Sequence, residues 1–234
     1  ENSIKNANLS DYFFSIYIEL LMPTLLLTGA AGNLGATVTD YFITQGWHVH
    51  AACISGGEAA RLPVHEHVTH SIGNLSVEKD VEMLFTEAGE IQAVVHLVGG
   101  ISPGALLSDT TLEVFESMMT LNTRTTFLVL RQALRILPDG GAIVTIGAKA
   151  AIHPEKYKSC YAAAKAAAIS LTLTAAEEGK SRGVRANVIV PGIILTKANL
   201  EWAENGEEKA WTPPEEIAAA VLGLCSESGR GISG

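Results

Sequence analysis

Leu25-Leu-Leu-Thr28-Gly-Ala-Ala-Gly32-Asn-Leu-Gly35 is the stretch that decides the fold. A short apolar run ends at Thr28, glycines follow at positions 29, 32 and 35, and apolar residues then recur at helical spacing from Leu34 to Gln45. Strand, glycine turn and helix in direct succession open a βαβ unit. That context separates a dinucleotide loop from a glycine-rich turn that binds nothing. Gly29 supplies the tight turn, Gly32 lets the backbone approach a pyrophosphate, and Gly35 lets helix and strand pack closely, with the helix N-terminus facing the phosphates. Ala31, Asn33 and Leu34 lie between them and belong to the same candidate cofactor-binding loop.

Outward from this unit, short apolar runs alternate with longer helical stretches. Strands are predicted over 25–28, 48–52, 68–71, 93–98, 142–146 and 185–190, and helices over 34–45, 77–88, 112–137, 155–178 and 214–226. The alternation predicts an α/β fold: a single Rossmann-type doubly wound parallel sheet flanked by helices. Ser76 is expected to cap the second of these helices, and Pro213-Pro214 to open the last. No composition break divides residues 22–234, which are read as one domain. Residues 1–21 are read as an extension, because Tyr12 to Leu21 is apolar yet contains Glu19, is too short to span a bilayer, and lacks a basic signal-peptide region. Gly231-Ile-Ser-Gly234 falls where a further edge strand is expected.

Composition narrows the function classes. Hydrophobic residues make up 47% and charged residues 18%, which is the balance of a globular interior. A formal charge of −9 disfavours nucleic acid and anionic membranes as partners. Cys53, Cys160 and Cys225 are scattered, so neither a disulfide framework nor a CxxC metal site is expected, and a reducing, cytoplasmic setting fits. His48, His50, His65, His67 and His70 cluster without a metal-ligand spacing, so no metal site is predicted. His96 and His153 fall nearer the expected pocket, and His153 is read as a solvent-facing loop residue.

Tyr161-Ala-Ala-Ala-Lys165 puts a phenol and an ammonium on one helix face. A cation beside a phenol favours phenolate, so the tyrosine pKa is expected to fall and the group to exchange protons near neutrality. The lysine is also placed to hydrogen-bond a ribose. An ordinary exposed helix yields the same pair, and the catalytic reading rests on its conjunction with the glycine loop.

Taken together, these landmarks resemble the short-chain dehydrogenase/reductase family over essentially everything from Met22 onward. The resemblance implies that Asn74-Leu75, after the third strand, contacts adenine, and that Asn122 is the structural and proton-relay asparagine. It implies that Pro191-Gly192 lies on the nicotinamide side with Thr196 near the carboxamide, and that 196–212, with Trp202 and Trp211, is the substrate loop. It further implies a small-molecule substrate and a homodimer or homotetramer built on the helices carrying Asn122 and Tyr161. The small face of Ala162, Ala163 and Ala166 suits such packing, although an intrachain contact would use the same residues.

Two departures stand out. Where the family carries Asn-Asn-Ala-Gly this chain has Leu97-Val98-Gly99-Gly100, and thirteen residues before Tyr161, where the family carries a catalytic serine, it has Ala148. Val98, Gly99 and Gly100 remain candidate cofactor contacts. The dihydropteridine reductase branch lacks that serine, and Gly99-Gly100, Gly147-Ala-Lys-Ala-Ala151 and Trp211-Thr-Pro213 resemble it. That likeness implies hydride transfer from a reduced nicotinamide to a quinonoid dihydropterin, whose electron-poor ring accepts hydride without an alcohol-orienting hydroxyl. At the end of the second strand, Cys53 replaces the acidic residue that selects NAD(H). The absence favours NADP(H) over NAD(H), with Ser55 as a phosphate donor and Arg61 as a more distant one. A general carbonyl reductase using Thr145 or water as substitute donor stays open, as does a dinucleotide-binding regulatory protein that has lost turnover.

Overall fold

The computed structural model describes residues 22–102, 104–201, 203 and 206–234. Residues 1–21 and Trp202 lie outside them. Six parallel strands form one sheet: β1 (Thr24–Thr28), β2 (His48–Cys53), β3 (Val68–Ile72), β4 (Ala93–His96), β5 (Ala142–Ile146) and β6 (Arg185–Ile189), in the order β3-β2-β1-β4-β5-β6. Side chains alternate across the pleat, so Leu25 and Leu27 face one layer and Leu26 the other. On one face α1 (Asn33–Thr44) and α8 (Pro214–Cys225) bury Val38, Phe42, Ile217 and Val221 against Leu25, Leu27, Val49 and Val95. On the other, α3 (Glu78–Ala88), α5 (Thr125–Ile136) and α6 (Ser159–Gly179) bury Leu84, Phe85, Val129 and Ala175 against Leu26, Val94 and Ile143. With both faces covered the central strands β1, β4 and β5 are largely apolar, whereas the edge strand β3 (Val-Thr-His-Ser-Ile) is mostly exposed, and the doubly wound prediction holds. The chain order reverses between β1 and β4, and a crevice opens outside the carboxyl ends of the strands at such a point.

Several local expectations change. β4 ends at His96, so Leu97 and Val98 are loop residues. The predicted helix over 112–137 is interrupted: α4 (Leu112–Met118) passes into a π-helical segment, Met119–Arg124, before α5. Ser76 does not cap α3, since its N–H and hydroxyl both donate to Asn74 Oδ1, at 2.9 and 2.8 Å, and Val77 is the cap position. Residues 155–158 precede α6 as turns. Two short helices were not foreseen, α2 (Gly56–Ala59) and α7 (Lys197–Leu200). The last residues run beside β6, where Gly234 N–H donates to Ala186 O at 2.9 Å. Among the described residues, no helix is long and apolar enough to cross a membrane.

Candidate active site

The glycine turn performs as its spacing requires. Gly29 has φ +74°, a backbone region closed to most side chains, and a Cβ on Gly35 would stand 2.1 Å from Gly29 O. Helix α1 therefore begins pressed against the end of β1, and the turn before it, at Gly29 and Gly32, lines a cavity of about 770 Å³. Gly29, Gly32, Leu97, Val98 and Gly99 line one part of this cavity, and Ala52, Gly73, Asn74 and Leu75 another. Six of the predicted cofactor contacts, Gly29, Gly32, Asn74, Leu75, Val98 and Gly99, thus share one crevice, and the others are not among its lining residues. Its volume suits an elongated ligand, and the backbone at Gly29 and Gly32, free of side chains, fits a dinucleotide pyrophosphate.

Lys165 and Asn122 meet at Gly99. A Cβ there would lie 2.7 Å from Lys165 Nζ and 2.8 Å from Asn122 Oδ1, so only a glycine leaves both side chains where they are. Asn122 is fully buried within the π segment. Its Nδ2 donates to Gly100 O at 3.0 Å and to Met118 O at 3.1 Å, and its Oδ1 accepts from Gly100 N–H at 3.0 Å. The asparagine clamps the loop after β4, a role local sequence does not reveal. Lys165, 6% exposed, donates from Nζ to Ile146 O at 2.9 Å. Burial lowers its pKa to about 8.

Tyr161, one turn before Lys165 on α6, does not behave as expected. Burial, and secondarily the Glu155 carboxylate, raise its pKa above the ordinary phenol value. Desolvation disfavours the phenolate, so the group is a protonated phenol at neutral pH. His96, at the end of β4, is buried between Thr28 Oγ1 (2.8 Å from Nδ1) and Thr125 Oγ1 (3.4 Å from Nε2). Burial, with Lys165 adding to it, lowers its pKa to about 3, so it is a neutral spacer. His153 is exposed, as read from sequence. His50 is spent on Thr69 and Ser71, and no group of three metal-ligating side chains occurs among the described residues.

Ala148 follows β5 in extended conformation (φ −153°, ψ 145°) and is 7% exposed. Thr145 does not substitute for the missing hydroxyl: it is 2% exposed, and its Oγ1 lies 2.8 Å from Thr172 Oγ1 inside the protein. Pro191 and Gly192 leave the end of β6 toward the same edge of the sheet, and Ile194 bridges to Thr212. Thr196 is committed locally, its Oγ1 accepting from Asn199 N–H at 3.3 Å to cap α7. Trp211 is buried at the base of this segment, and Trp202 lies outside the described residues.

At the far end of the cavity the expected cofactor contact at position 53 faces the core instead. Cys53 is 1% exposed and packs into the core with Val38 and Phe42, and burial pushes its thiol up to about 11. Ser55 Oγ is the cap of α2, accepting from Glu58 N–H at 3.3 Å. The side chains that line the cavity here are Ile54, Glu58 and Arg61. Glu58 was missed, although Ser55-Gly-Gly-Glu58 has the spacing of a capping box and signals a helix start.

A family profile described as Enoyl-(Acyl carrier protein) reductase matches residues 29–234. The 7alpha-hydroxysteroid dehydrogenase of Bacteroides fragilis is 28% identical over 235 residues, covering 90% of this chain and 90% of the relative. The 3-oxoacyl-(acyl-carrier-protein) reductase FabG of Thermotoga maritima is 29% identical over 228 residues, covering 89% and 92%. Among solved structures, a blue fluorescent protein from a metagenomic library, in complex with NADPH, superposes with a TM-score of 0.80 at 25% identity and covers 90% of this chain and 93% of its own.

Proposed function

The chain belongs to the short-chain dehydrogenase/reductase family of oxidoreductases, and from that membership we propose that it reduces a small organic acceptor at the expense of NADH or NADPH, with Tyr161 as proton donor. The observation that carries this reading is the meeting of Lys165 and Asn122 at Gly99, which lines a dinucleotide-sized cavity, with Tyr161 one helical turn before Lys165 on α6. When bound, the reduced nicotinamide supplies the hydride. The protein's own groups do the rest. Tyr161 is held as a neutral phenol and gives its proton to the acceptor atom that gains electron density. Lys165 uses one of its three N–H donors on Ile146 O, leaving two for ribose hydroxyls. Its charge favours the phenolate left after proton transfer. Asn122 holds the Gly100 backbone in place against this group.

The acceptor we favour is a conjugated, electron-poor ring such as a quinonoid dihydropterin, which takes one hydride and one proton to become the tetrahydro form. Its support is Ala148: the position offers no hydroxyl to orient an alcohol-like oxygen, and the nearby Thr145 is engaged elsewhere. A general carbonyl substrate is the second reading, favoured by the activities named for the hydroxysteroid and oxoacyl relatives. The same proposal includes a cytoplasmic setting, in keeping with three free cysteines, and a homodimer or homotetramer in which the exposed Ala163 and Ala166 of α6 face a partner.

Titration with NADH and NADPH, combined with turnover on quinonoid dihydropterin and on simple ketones, tests the proposal. Tyr161→Phe is expected to lose at least about 100-fold in turnover while keeping dinucleotide affinity within a few-fold of the parent. Full turnover in that variant would remove Tyr161 as the acid. Dinucleotide binding by the parent with no turnover on either class would favour a regulatory binding protein.

A further inference from the structure

The cavity wall at the end of β2 holds a carboxylate, although position 53 supplies none. Glu58, in the short helix α2, folds back on the strand end: its Oε2 accepts from Ile54 N–H at 2.9 Å, and its Oε1 lies 3.8 Å from Arg61 Nη2. The backbone N–H of Glu58 in turn donates to Ser55 Oγ. The side chain is therefore anchored at both ends yet 31% exposed, facing a cavity that it lines together with Ala52, Ile54 and Asn74. We propose that Glu58 reads the adenosine ribose, accepting from its hydroxyls and repelling a 2′-phosphate, so that the chain prefers NAD(H) to NADP(H). The inference rests on the dinucleotide reading of this cavity.

Three features of the site carry it. First, a vicinal diol donates two O–H bonds, and a carboxylate with only one oxygen engaged by a backbone N–H keeps acceptor capacity for both. Second, Arg61 does not make the wall cationic. Its side chain is 62% exposed and paired with Glu58, so the two together present no net charge to a dianionic phosphate. Third, the charged described side chains lining the cavity are Glu58, Glu113 and Glu116 against Arg61 alone, a field that opposes two further negative charges. Cys53, turned into the core, contributes nothing to the choice.

The test is calorimetric titration of the full chain with NADH and with NADPH, for the parent and for Glu58→Gln. Glutamine keeps an oxygen for Ile54 N–H while removing the charge, so the fold of α2 is retained. The parent is expected to bind NADH at least about tenfold tighter than NADPH, and the substitution to narrow that ratio by about tenfold, mainly by strengthening NADPH. A parent that binds NADPH as tightly as NADH, or more tightly, overturns the inference while leaving the dinucleotide reading intact. So does an unchanged ratio in the variant. Binding of neither dinucleotide by the parent overturns the dinucleotide reading itself, and this inference with it.

Discussion

Replacing Ala148 with serine asks whether the site is built for a conjugated ring or is merely short of one hydroxyl. The backbone there is extended, and the residue is the cap position of the 3-10 turn Lys149–Ala151, where serine is a favoured residue. The cap demands little of the new side chain, since Ala151 N–H already donates to Ala148 O at 3.0 Å. Serine Oγ can accept locally and still donate its proton toward the cavity. Stability is therefore expected to move by less than about 1 kcal/mol. The hydroxyl would act on the same substrate oxygen that Tyr161 protonates. One preorganised donor to a developing oxyanion contributes on the order of 100-fold or more in kcat, so ketone reduction by Ala148→Ser is expected to rise by about that factor. Reduction of quinonoid dihydropterin is expected to change by no more than about threefold, because hydride acceptance by the ring does not depend on an alcohol-like oxygen contact. The assay is loss of reduced-nicotinamide absorbance with each acceptor, reporting kcat and KM separately. A parent that reduces ketones as fast as the serine variant would refute the claim that the missing hydroxyl sets specificity. Ketone activity appearing only in the variant, with a parent inert on both classes, would identify a decayed enzyme.

Three further outcomes are expected. Lys165→Met should lose at least about 100-fold in turnover yet unfold at higher temperature below pH 8, because burial has moved the lysine pKa from 10.5 to about 8 and the charged form there costs ~3 kcal/mol before the lost bond to Ile146 O is counted. That gain should vanish above pH 10.5, where folded and unfolded lysine are both neutral; a destabilised variant at pH 7 would contradict it. Acid should weaken the fold early: His96 and His50, lowered from 6.5 to about 3 and about 4, are neutral in both states above pH 6.5, but below it only the unfolded chain takes up the protons. Denaturant midpoints should reveal a loss of ~2 kcal/mol per histidine by about pH 5, and a flat profile over that interval would count against buried neutral histidines. Cys53→Asp should destabilise the protein by more than ~3 kcal/mol without reversing cofactor preference, since it places a carboxylate in the core beside Val38 and Phe42; a clean reversal would show that position 53 faces the cavity after all.

What the sequence reveals and what it hides separate along physical lines. The strand, turn and helix around Gly29 to Gly35 were legible because each glycine answers a local demand, and the strands because buried parallel β-structure needs near-continuous apolar runs. The interruption of the long helix at Met119–Arg124 was not, because a π segment adds one residue to a turn without disturbing apolar spacing enough to read. Cys53 went wrong through pleat parity: sequence locates the end of β2 but not which neighbour, Ala52 or Cys53, faces the crevice, and a one-residue error reverses the face. Tyr161 shows the same limit in electrostatics. Its lysine neighbour is visible in the sequence, whereas the burial that raises the phenol pKa is a property of the assembled fold.

The departures from the family pattern are not scattered, and their placement bears on whether turnover survives. Gly99 stands where a methyl would collide with Lys165 Nζ and Asn122 Oδ1, and Ala148 lies two residues beyond the carbonyl that holds that Nζ. Gly99 and Ala148 each lack an atom or group that the family carries, and the Lys165 bond to Ile146 O is kept, while Leu97 and Val98 put apolar side chains where the same segment of the family carries two asparagines. Decay would act differently. A buried ammonium opposes folding, so once chemistry no longer requires it, substitution by an apolar residue of similar size meets no resistance from stability. The chain instead retains Lys165, a protonated Tyr161 one turn away, and an asparagine that makes bonds in both directions to Gly100. We infer that a site keeping its costly groups is under a demand for them other than stability, in line with the proposed proton transfer to a broad, flat acceptor.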